Sequence, residues 1–143
     1  MADEDERARA IARHMMAAEG TAPQWRLEHL DGGVGYAKVC FEVTSQMLNG
    51  HGTIHGGLIF SLADSAFAYA ANSRNDKTVS QQASIVFLGA ASVGETLVAE
   101  AREQACSGRS GVYDVSVRTA DGRDIARFTG LSRTVRGHTL EDS

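Results

Sequence analysis

The sequence predicts an α+β protein in which one curved antiparallel sheet wraps around a single long buried helix. From Leu58 to Asn72 the chain is apolar on nearly every face of a helix, which is typical of a buried helix. Other segments alternate apolar and polar residues, as strands with one buried face do. Short turn signals such as Asp121-Gly122 separate these segments, so neighbouring strands are expected to form hairpins.

One helix and two strands are predicted before the central helix. Residues Asp3–Ala18 carry a modest apolar stripe and an acidic start, which favour a helix, and the only proline, Pro23, follows its end. Trp25–Leu30 is the first predicted strand. Tyr36–Val43 alternates and is the second, and Asp31-Gly32-Gly33 indicates the hairpin turn between them.

Four more strands are predicted after the central helix. The first of them ends in the continuously apolar run Ile85-Val86-Phe87-Leu88, which is typical of a central strand. The tail from Gly137 is polar and is expected to fray. The predicted strand ranges are Thr78–Leu88, Thr96–Cys106, Val112–Thr119 and Asp124–Val135.

Composition restricts the class of protein. The 143 residues fit one domain, with an N-terminal helix within residues 1–20 and a polar tail over 137–143. A net charge of -4 without a basic patch argues against nucleic acid as a partner. We find no secretory signal and no apolar run long enough to cross a membrane. Cys40 and Cys106 lack metal-ligand spacing and are expected to be buried or half-buried thiols of a cytoplasmic protein.

The central helix carries the chemistry. Asp64 is the only charged residue between Gly56 and Asn72, and a carboxylate in such a helix is costly unless something uses or satisfies it. At the helix start, Gly56 and Gly57 leave the backbone N–H groups accessible at the positive end of the helix dipole. A donor site for negative charge and a carboxylate base together suit acyl transfer.

The spacing of these two groups predicts a dimer. Gly56 and Asp64 are eight residues apart, which is about 12 Å along a helix axis. One helix therefore cannot place both groups on the same reacting carbon. If they act together, they come from two antiparallel copies of the helix across a two-fold axis, and a symmetric dimer then has two shared sites.

The motif has a family resemblance. The run from Asn49 to Gly57, followed by Phe60-Ser61-Leu62-Ala63-Asp64, resembles the hotdog-fold acyl-CoA thioesterases, in particular the phenylacetate-degradation or PaaI-type branch. Phe87-Leu88, Gly94-Glu95-Thr96-Leu97 and the stretch from Gly108 to Val115 are similar to that branch as well. One departure is Gly89-Ala90, where relatives often carry proline.

The resemblance implies roles for five residues. Asp64 matches the catalytic carboxylate, which activates water or attacks the thioester carbon. Gly56 matches the glycine whose N–H polarises the thioester carbonyl, and His55 matches a histidine beside that oxyanion site. Asn49 matches a loop amide that places substrate or water, and Ser80 matches a hydroxyl that orients the water.

The resemblance also implies substrate and assembly. The expected reaction is hydrolysis of an aryl-acetyl-CoA, such as phenylacetyl- or hydroxyphenylacetyl-CoA, without a cofactor. Arg109 and Ser110 match positions that contact the nucleotide end of coenzyme A. Family members share their sites across a homodimer, often within a homotetramer. We expect the acyl group to lie between the Met47-Leu48 loop and the partner's helix face near Phe67.

Other interpretations remain open on sequence alone. A hotdog hydratase or dehydratase would use His51 or His55 together with Asp64. A non-catalytic acyl-CoA sensor is a further alternative, although the segment before Trp25 is too short for the DNA-binding domain that such sensors add. The four-residue spacing of the two histidines suggests a metal site, but no third ligand is evident, and we expect none.

Overall fold

The computed structural model describes residues 2–140, apart from the side chain of Ala2. Six strands form one antiparallel sheet in the order β1-β2-β4-β5-β6-β3. The elements are α1 (Ala2–Ala18), α2 (Thr21–Gln24), β1 (Glu28–Gly33), β2 (Tyr36–Glu42), a 3-10 turn (Ser45–Met47), α3 (Gly56–Ala71), β3 (Asp76–Phe87), β4 (Thr96–Ser107), β5 (Ser110–Thr119) and β6 (Asp124–His138).

The predicted architecture is confirmed. Helix α3 packs against five strands of the sheet, β2 to β6, so the sheet curves around it as in a hotdog fold. Both components bury apolar side chains at this contact. The helix contributes Ile59, Leu62, Ala63, Ala66, Phe67 and Ala70, and the sheet contributes Ala37, Val39, Phe41, Leu97, Ala99, Val115 and Val117.

The first hairpin is confirmed, but its turn lies later than predicted. The turn is at Val34-Gly35, where Gly35 has a φ of 69°, and Gly32 and Gly33 lie within β1. The two strand glycines let α1 approach closely. Arg9 donates to the Gly32 carbonyl at 3.0 Å, and the Val34 N–H donates to Asp5 at 2.9 Å.

The predicted strand over Trp25–Leu30 is wrong in its first half. The short helix α2 occupies Thr21–Gln24, and Arg26 takes a left-handed backbone conformation with a φ of 54°. A strand cannot pass through a residue in that conformation. Strand β1 therefore begins at Glu28, and Trp25 packs against the core from a loop.

Strand β3 lies at an edge of the sheet, not in its centre as predicted. It pairs with β6 alone, and its other edge has no partner among residues 2–140. Side chains of the apolar run are accordingly exposed: Val86 by 60%, Phe87 by 50% and Leu88 by 55%. An edge that is both apolar and unpaired is a template for pairing with another chain.

The predicted frayed tail is held in place over its described part. Strand β6 continues to His138, three residues beyond the predicted end. The N–H of Leu140 donates to the Asn75 side chain at 2.6 Å, and the Thr139 hydroxyl donates to Asn72 at 2.9 Å. The segment therefore closes over the turn between α3 and β3. Residues 141–143 of the predicted tail lie outside the described residues.

The two cysteines differ in exposure. Cys40 is buried in β2, as predicted, whereas Cys106 is exposed near the end of β4, which the sequence did not indicate. Both are free thiols. Separately, no helix within residues 2–140 is long and apolar enough to cross a membrane.

Candidate active site

His55 caps the start of α3. Its backbone is extended, and its Nδ1 accepts a hydrogen bond from the Gly57 N–H at 2.9 Å. The Nδ1 lone pair is therefore engaged, which places the proton of the neutral ring on Nε2. The expectation of an accessible N–H is therefore wrong at Gly57, whose N–H is bound by His55, and the sequence did not indicate this capping role.

Gly56 presents a free amide at the positive end of α3. Within residues 2–140 its N–H has no hydrogen-bond acceptor, and it is the first residue of the helix. A Cβ at this position would lie 3.1 Å from Cζ of Phe87, so the helix start adjoins the end of β3. A free N–H at a helix start can donate a hydrogen bond to a negatively charged group.

Asp64 is a half-buried carboxylate without a partner among the described residues. It lies in the middle of α3, and none of residues 2–140 forms a hydrogen bond or an ion pair with its side chain. Burial raises the pKa of Asp64, and the nearby Glu19 carboxylate raises it further. An unpartnered carboxylate with a perturbed pKa is a candidate functional group.

Asn49 organises the loop that leads into α3. Its Oδ1 accepts from the N–H of His51 at 2.9 Å and of Thr53 at 3.2 Å, while its Nδ2 donates to the Thr53 hydroxyl at 3.2 Å. A bridge between Leu48 and Ile54 closes the loop. The side chain thus stabilises the turn immediately before the helix start.

The remaining predicted residues lie apart from this group. Ser80 is exposed on β3, where it pairs with Ser132 of β6. Arg109 and Ser110 are exposed at the turn between β4 and β5. Within one chain, Asn49, His55 and Gly56 therefore lie in one segment, at the start of α3. Asp64, Ser80 and the two turn residues lie elsewhere. A site that uses all of them would need residues from two chains.

Helix α3 and strand β3 run in opposite directions. Gly56 at the helix start adjoins Phe87 at the strand end. Asn72 at the helix end exchanges two hydrogen bonds with the backbone of Thr78 near the strand start, each 2.9 Å long. Any partner that extends the sheet at β3 therefore also lies beside α3.

The expected acyl pocket, between the Met47-Leu48 loop and the partner's helix face near Phe67, stays a prediction, but the Phe67 and Met47 side chains themselves are buried in the core of one chain. Phe67 is 1% exposed and packs on the rings of Tyr113 and Phe128, with centroid distances of 5.4 and 5.7 Å. Met47 is also 1% exposed. Neither side chain reaches an open surface, because both complete the core around α3. The accessible face of the helix carries Ser61, Asp64 and Ala68 instead.

Sequence reasoning missed Glu19, which follows α1. Its carboxylate accepts a hydrogen bond from the Ser65 hydroxyl at 2.8 Å and from the Tyr69 hydroxyl at 2.6 Å. Both partners follow Asp64 on α3, by one and five positions. No local pattern marks Glu19, since a glutamate at a helix end is ordinarily solvated, and its partners are 46 and 50 positions away.

The metal interpretation of His51 and His55 gains no support. Within the part of the chain that the structure describes, no group of three or more His, Cys, Asp or Glu side chains could hold a metal ion. Both histidines are exposed, and one nitrogen of His55 is used by the helix cap.

Comparison with known proteins identifies the family. The family model described as thioesterase superfamily matches residues 51–126. The acyl-coenzyme A thioesterase PaaI of Escherichia coli is 43% identical over 72% of this chain and 74% of its own length. The structure of the E. coli PaaI protein, from the phenylacetic acid degradation operon, superposes with a TM-score of 0.91 at 36% identity and covers 94% of this chain and 97% of that one.

A more distant structure adds a bound ligand. A Streptococcus mutans protein bound to acetyl CoA is 27% identical, with a TM-score of 0.75 over 78% of this chain and 90% of that one. The family match covers more than half of the chain, and the PaaI alignment covers more than two thirds of it. This chain therefore belongs to the thioesterase superfamily.

Proposed function

We propose that this protein hydrolyses acyl-CoA thioesters to the free acid and coenzyme A, with aryl-acetyl esters such as phenylacetyl- or hydroxyphenylacetyl-CoA as substrates. The observation that carries the proposal is the chemistry of α3, which combines a free amide at Gly56 with an unpartnered carboxylate at Asp64. The similarity to a PaaI that is named an acyl-CoA thioesterase supports the substrate class.

The active unit is a homodimer that shares its sites. The exposed edge of β3 is twelve residues long, and pairing of two such edges across a two-fold axis would cover Val86 and its apolar neighbours. Because α3 runs opposite to β3, the same symmetry sets the two α3 helices antiparallel. With the two-fold axis level with the stretch between Gly56 and Asp64, Gly56 of the partner subunit approaches Asp64. A cytoplasmic homotetramer built from two such dimers is the assembly that the resemblance favours.

Catalysis proceeds through a tetrahedral oxyanion. The thioester carbonyl oxygen accepts the Gly56 N–H, and Asp64 across the dimer interface removes a proton from water as the water oxygen bonds to the carbonyl carbon. The C–S bond then breaks, and coenzyme A leaves as the thiol with that proton. Direct attack by Asp64, followed by hydrolysis of the resulting anhydride, needs a carboxylate at the same position.

The other predicted residues support these steps. The protonated Nε2 of His55 is exposed beside the Gly56 amide, where it donates to the substrate. Asn49 fixes the loop that holds this amide in place, and Ser80 orients the water from the edge of β3. Arg109 and Ser110, exposed at a hairpin turn, bind the nucleotide end of coenzyme A.

The hydratase alternative is less compatible with this geometry. A base must have a free lone pair, but Nδ1 of His55 accepts from Gly57 and Nε2 carries the proton. His51 remains as its candidate base, since its side chain is exposed. Water addition to crotonyl-CoA that depends on His51 would therefore favour the hydratase.

The test is thiol release from a panel of acyl-CoAs: phenylacetyl, hydroxyphenylacetyl, benzoyl, straight-chain and crotonyl. We expect the aryl-acetyl esters to turn over fastest and Asp64→Asn to lose about 10²–10⁴-fold in kcat. The control is Asp114→Asn, which neutralises an exposed aspartate on β5 and leaves the rate unchanged. Full activity in Asp64→Asn would remove Asp64 from the mechanism, and binding without thiol release would favour the sensor.

A further inference from the structure

The carboxylate of Glu19 is held against α3 by two hydroxyls. Ser65 donates to Oε1 and Tyr69 to Oε2, at 2.8 and 2.6 Å. Both donors are buried, and they are one helical turn apart, so Glu19 spans the turn that follows Asp64. The bidentate arrangement fixes the Glu19 side chain and, with it, the position of this part of α3.

The backbone of Glu19 is fixed as well. It lies between the end of α1 and the start of α2. Its N–H donates to the Met16 carbonyl at 3.2 Å, and its own carbonyl accepts from the Ala22 N–H at 3.3 Å. The carboxylate is therefore presented to α3 by a hydrogen-bonded junction between two helices.

Glu19 and Asp64 form a pair of like charges without compensation. Within residues 2–140 neither carboxylate forms an ion pair. Both ligands of Glu19 are neutral, and burial together with Glu19 raises the pKa of the Tyr69 hydroxyl, which therefore remains a donor. A negative charge close to a carboxylate disfavours its ionised form, and the charge of Glu19 raises the pKa of Asp64 in addition to the effect of burial. A glutamine could accept from only one of the two hydroxyls, because its amide nitrogen is a donor.

Few other titratable groups surround Asp64. Tyr69 is on α3 itself, and on the sheet the Tyr113 hydroxyl donates to Glu103 within a cluster that includes Arg74 and Cys106. His14, Lys77 and His138 line an open cavity that adjoins Glu19. Of all these groups, Glu19 is the one whose charge raises the pKa of Asp64.

We propose that Glu19 is a positioning residue for Asp64: bound to Ser65 and Tyr69, it fixes the helical turn that presents Asp64 and places a second carboxylate beside that turn. A general base is most effective when its pKa lies close to the working pH and it is still ionised. Glu19 itself contacts neither the thioester nor the water. This inference rests on the proposed thioesterase function.

The test measures Asp64 directly and then through the reaction. The carboxyl carbon of Asp64 is titrated by NMR and assigned by its absence in Asp64→Asn. We expect the titration midpoint to move to lower pH in Glu19→Gln. The acidic limb of kcat/KM against pH moves with it, and the plateau rate falls by less than about tenfold because Asp64 remains.

Two controls separate charge from structure. Glu42→Gln removes one negative charge at an exposed position on β2 and leaves both the midpoint and the acidic limb in place. Ser65→Ala removes one hydrogen bond to Glu19 but keeps both carboxylates, so the limb does not move to lower pH. Circular dichroism confirms that each variant is folded.

The outcomes distinguish this inference from the proposed function. An unchanged Asp64 midpoint in a folded Glu19→Gln overturns the inference, as does a Ser65→Ala variant that reproduces the Glu19→Gln profile. A midpoint that moves while the acidic limb does not would overturn the role in catalysis. If the midpoint moves but no acyl-CoA is cleaved by wild type, the charge coupling stands and the thioesterase proposal fails.

Discussion

Shared sites predict that two inactive variants restore each other. Asp64→Asn removes the base, and Gly56→Ala places a Cβ 3.1 Å from Phe87 at the amide that binds the carbonyl. Alone, Asp64→Asn is expected to lose about 10²–10⁴-fold in kcat and Gly56→Ala about 10²–10³-fold. In a heterodimer of the two, one site carries both defects and the other carries none, because the eight-residue spacing spans about 12 Å and the two groups act from different chains.

The magnitude follows from random pairing. Equal co-expression gives roughly half heterodimers, each with one intact site of two, so about a quarter of the wild-type rate returns. This fraction is independent of any further assembly into tetramers. Thiol release is measured on the co-expressed mixture. It is also measured on separately purified variants that are combined under conditions in which subunits do not exchange between dimers. As a matched control, Asp64→Asn is co-expressed with Gly50→Ala instead of Gly56→Ala. The Cβ added at Gly50, a loop glycine, would meet nothing within 4 Å.

A lack of complementation would refute the shared-site mechanism. If the co-expressed mixture is no more active than the two variants apart, while size-exclusion and mass analysis show that heterodimers formed, Gly56 and Asp64 do not complement across an interface. The shared-site mechanism would then be wrong, even if wild type is a thioesterase.

Four further predictions concern stability and assembly. Folding raises the pKa of Asp64, so its ionised form destabilises the folded protein as pH rises above the ordinary pKa of an aspartate. Asp64→Asn should therefore raise Tm at neutral pH, and a lower Tm would contradict the assigned burial. Val86→Lys should shift sedimentation toward the 15.2 kDa monomer and reduce activity with it; an unchanged mass would place the interface elsewhere. In Gly130→Ala the new Cβ would lie 2.7 Å from the buried Phe67 ring, so thermal unfolding should show a loss of about 1–3 kcal/mol, whereas no loss would mean that the ring is free to move. Hydrogen bonding from Arg74 lowers the pKa of Glu103 from 4.5 to about 2. The ionised Glu103 therefore stabilises the fold above pH 4.5, and this contribution is lost as pH falls toward about 2. Glu103→Gln should make the free energy of unfolding depend less on pH over that window, and an unchanged pH dependence would contradict this role of Glu103.

The local patterns predicted most of the fold. An all-round apolar helix and alternating strands are periodic over many residues, and their burial in the structure follows that periodicity. The errors occur where a tertiary contact determines the backbone. Gly32 and Gly33 resemble a turn, but they are strand residues whose missing side chains admit Asp5 and Arg9 of α1.

The residues of the candidate site were likewise predictable from sequence only in part. Gly56 and Asp64 could be identified because a free helix start and a lone carboxylate on an apolar helix are local features. Glu19 could not, since its significance depends on hydroxyls 46 and 50 positions away. His55 was assigned a place beside the oxyanion site, but its capping bond to Gly57 is a matter of ring orientation, which a sequence does not specify.

The error about β3 has a physical explanation that supports the dimer. A continuously apolar strand is typical of one that is covered on both sides, yet within one chain β3 pairs on a single edge and leaves Val86 60% exposed. Pairing of two β3 edges would place this strand in the middle of a continuous twelve-stranded sheet, twice the six strands of one chain. The apolar run would then indicate a central strand of the assembly. If the two-fold axis lies level with the stretch of α3 between Gly56 and Asp64, the same pairing would bring Gly56 of one subunit to Asp64 of the other, so one axis would account for both the buried edge and the complete site.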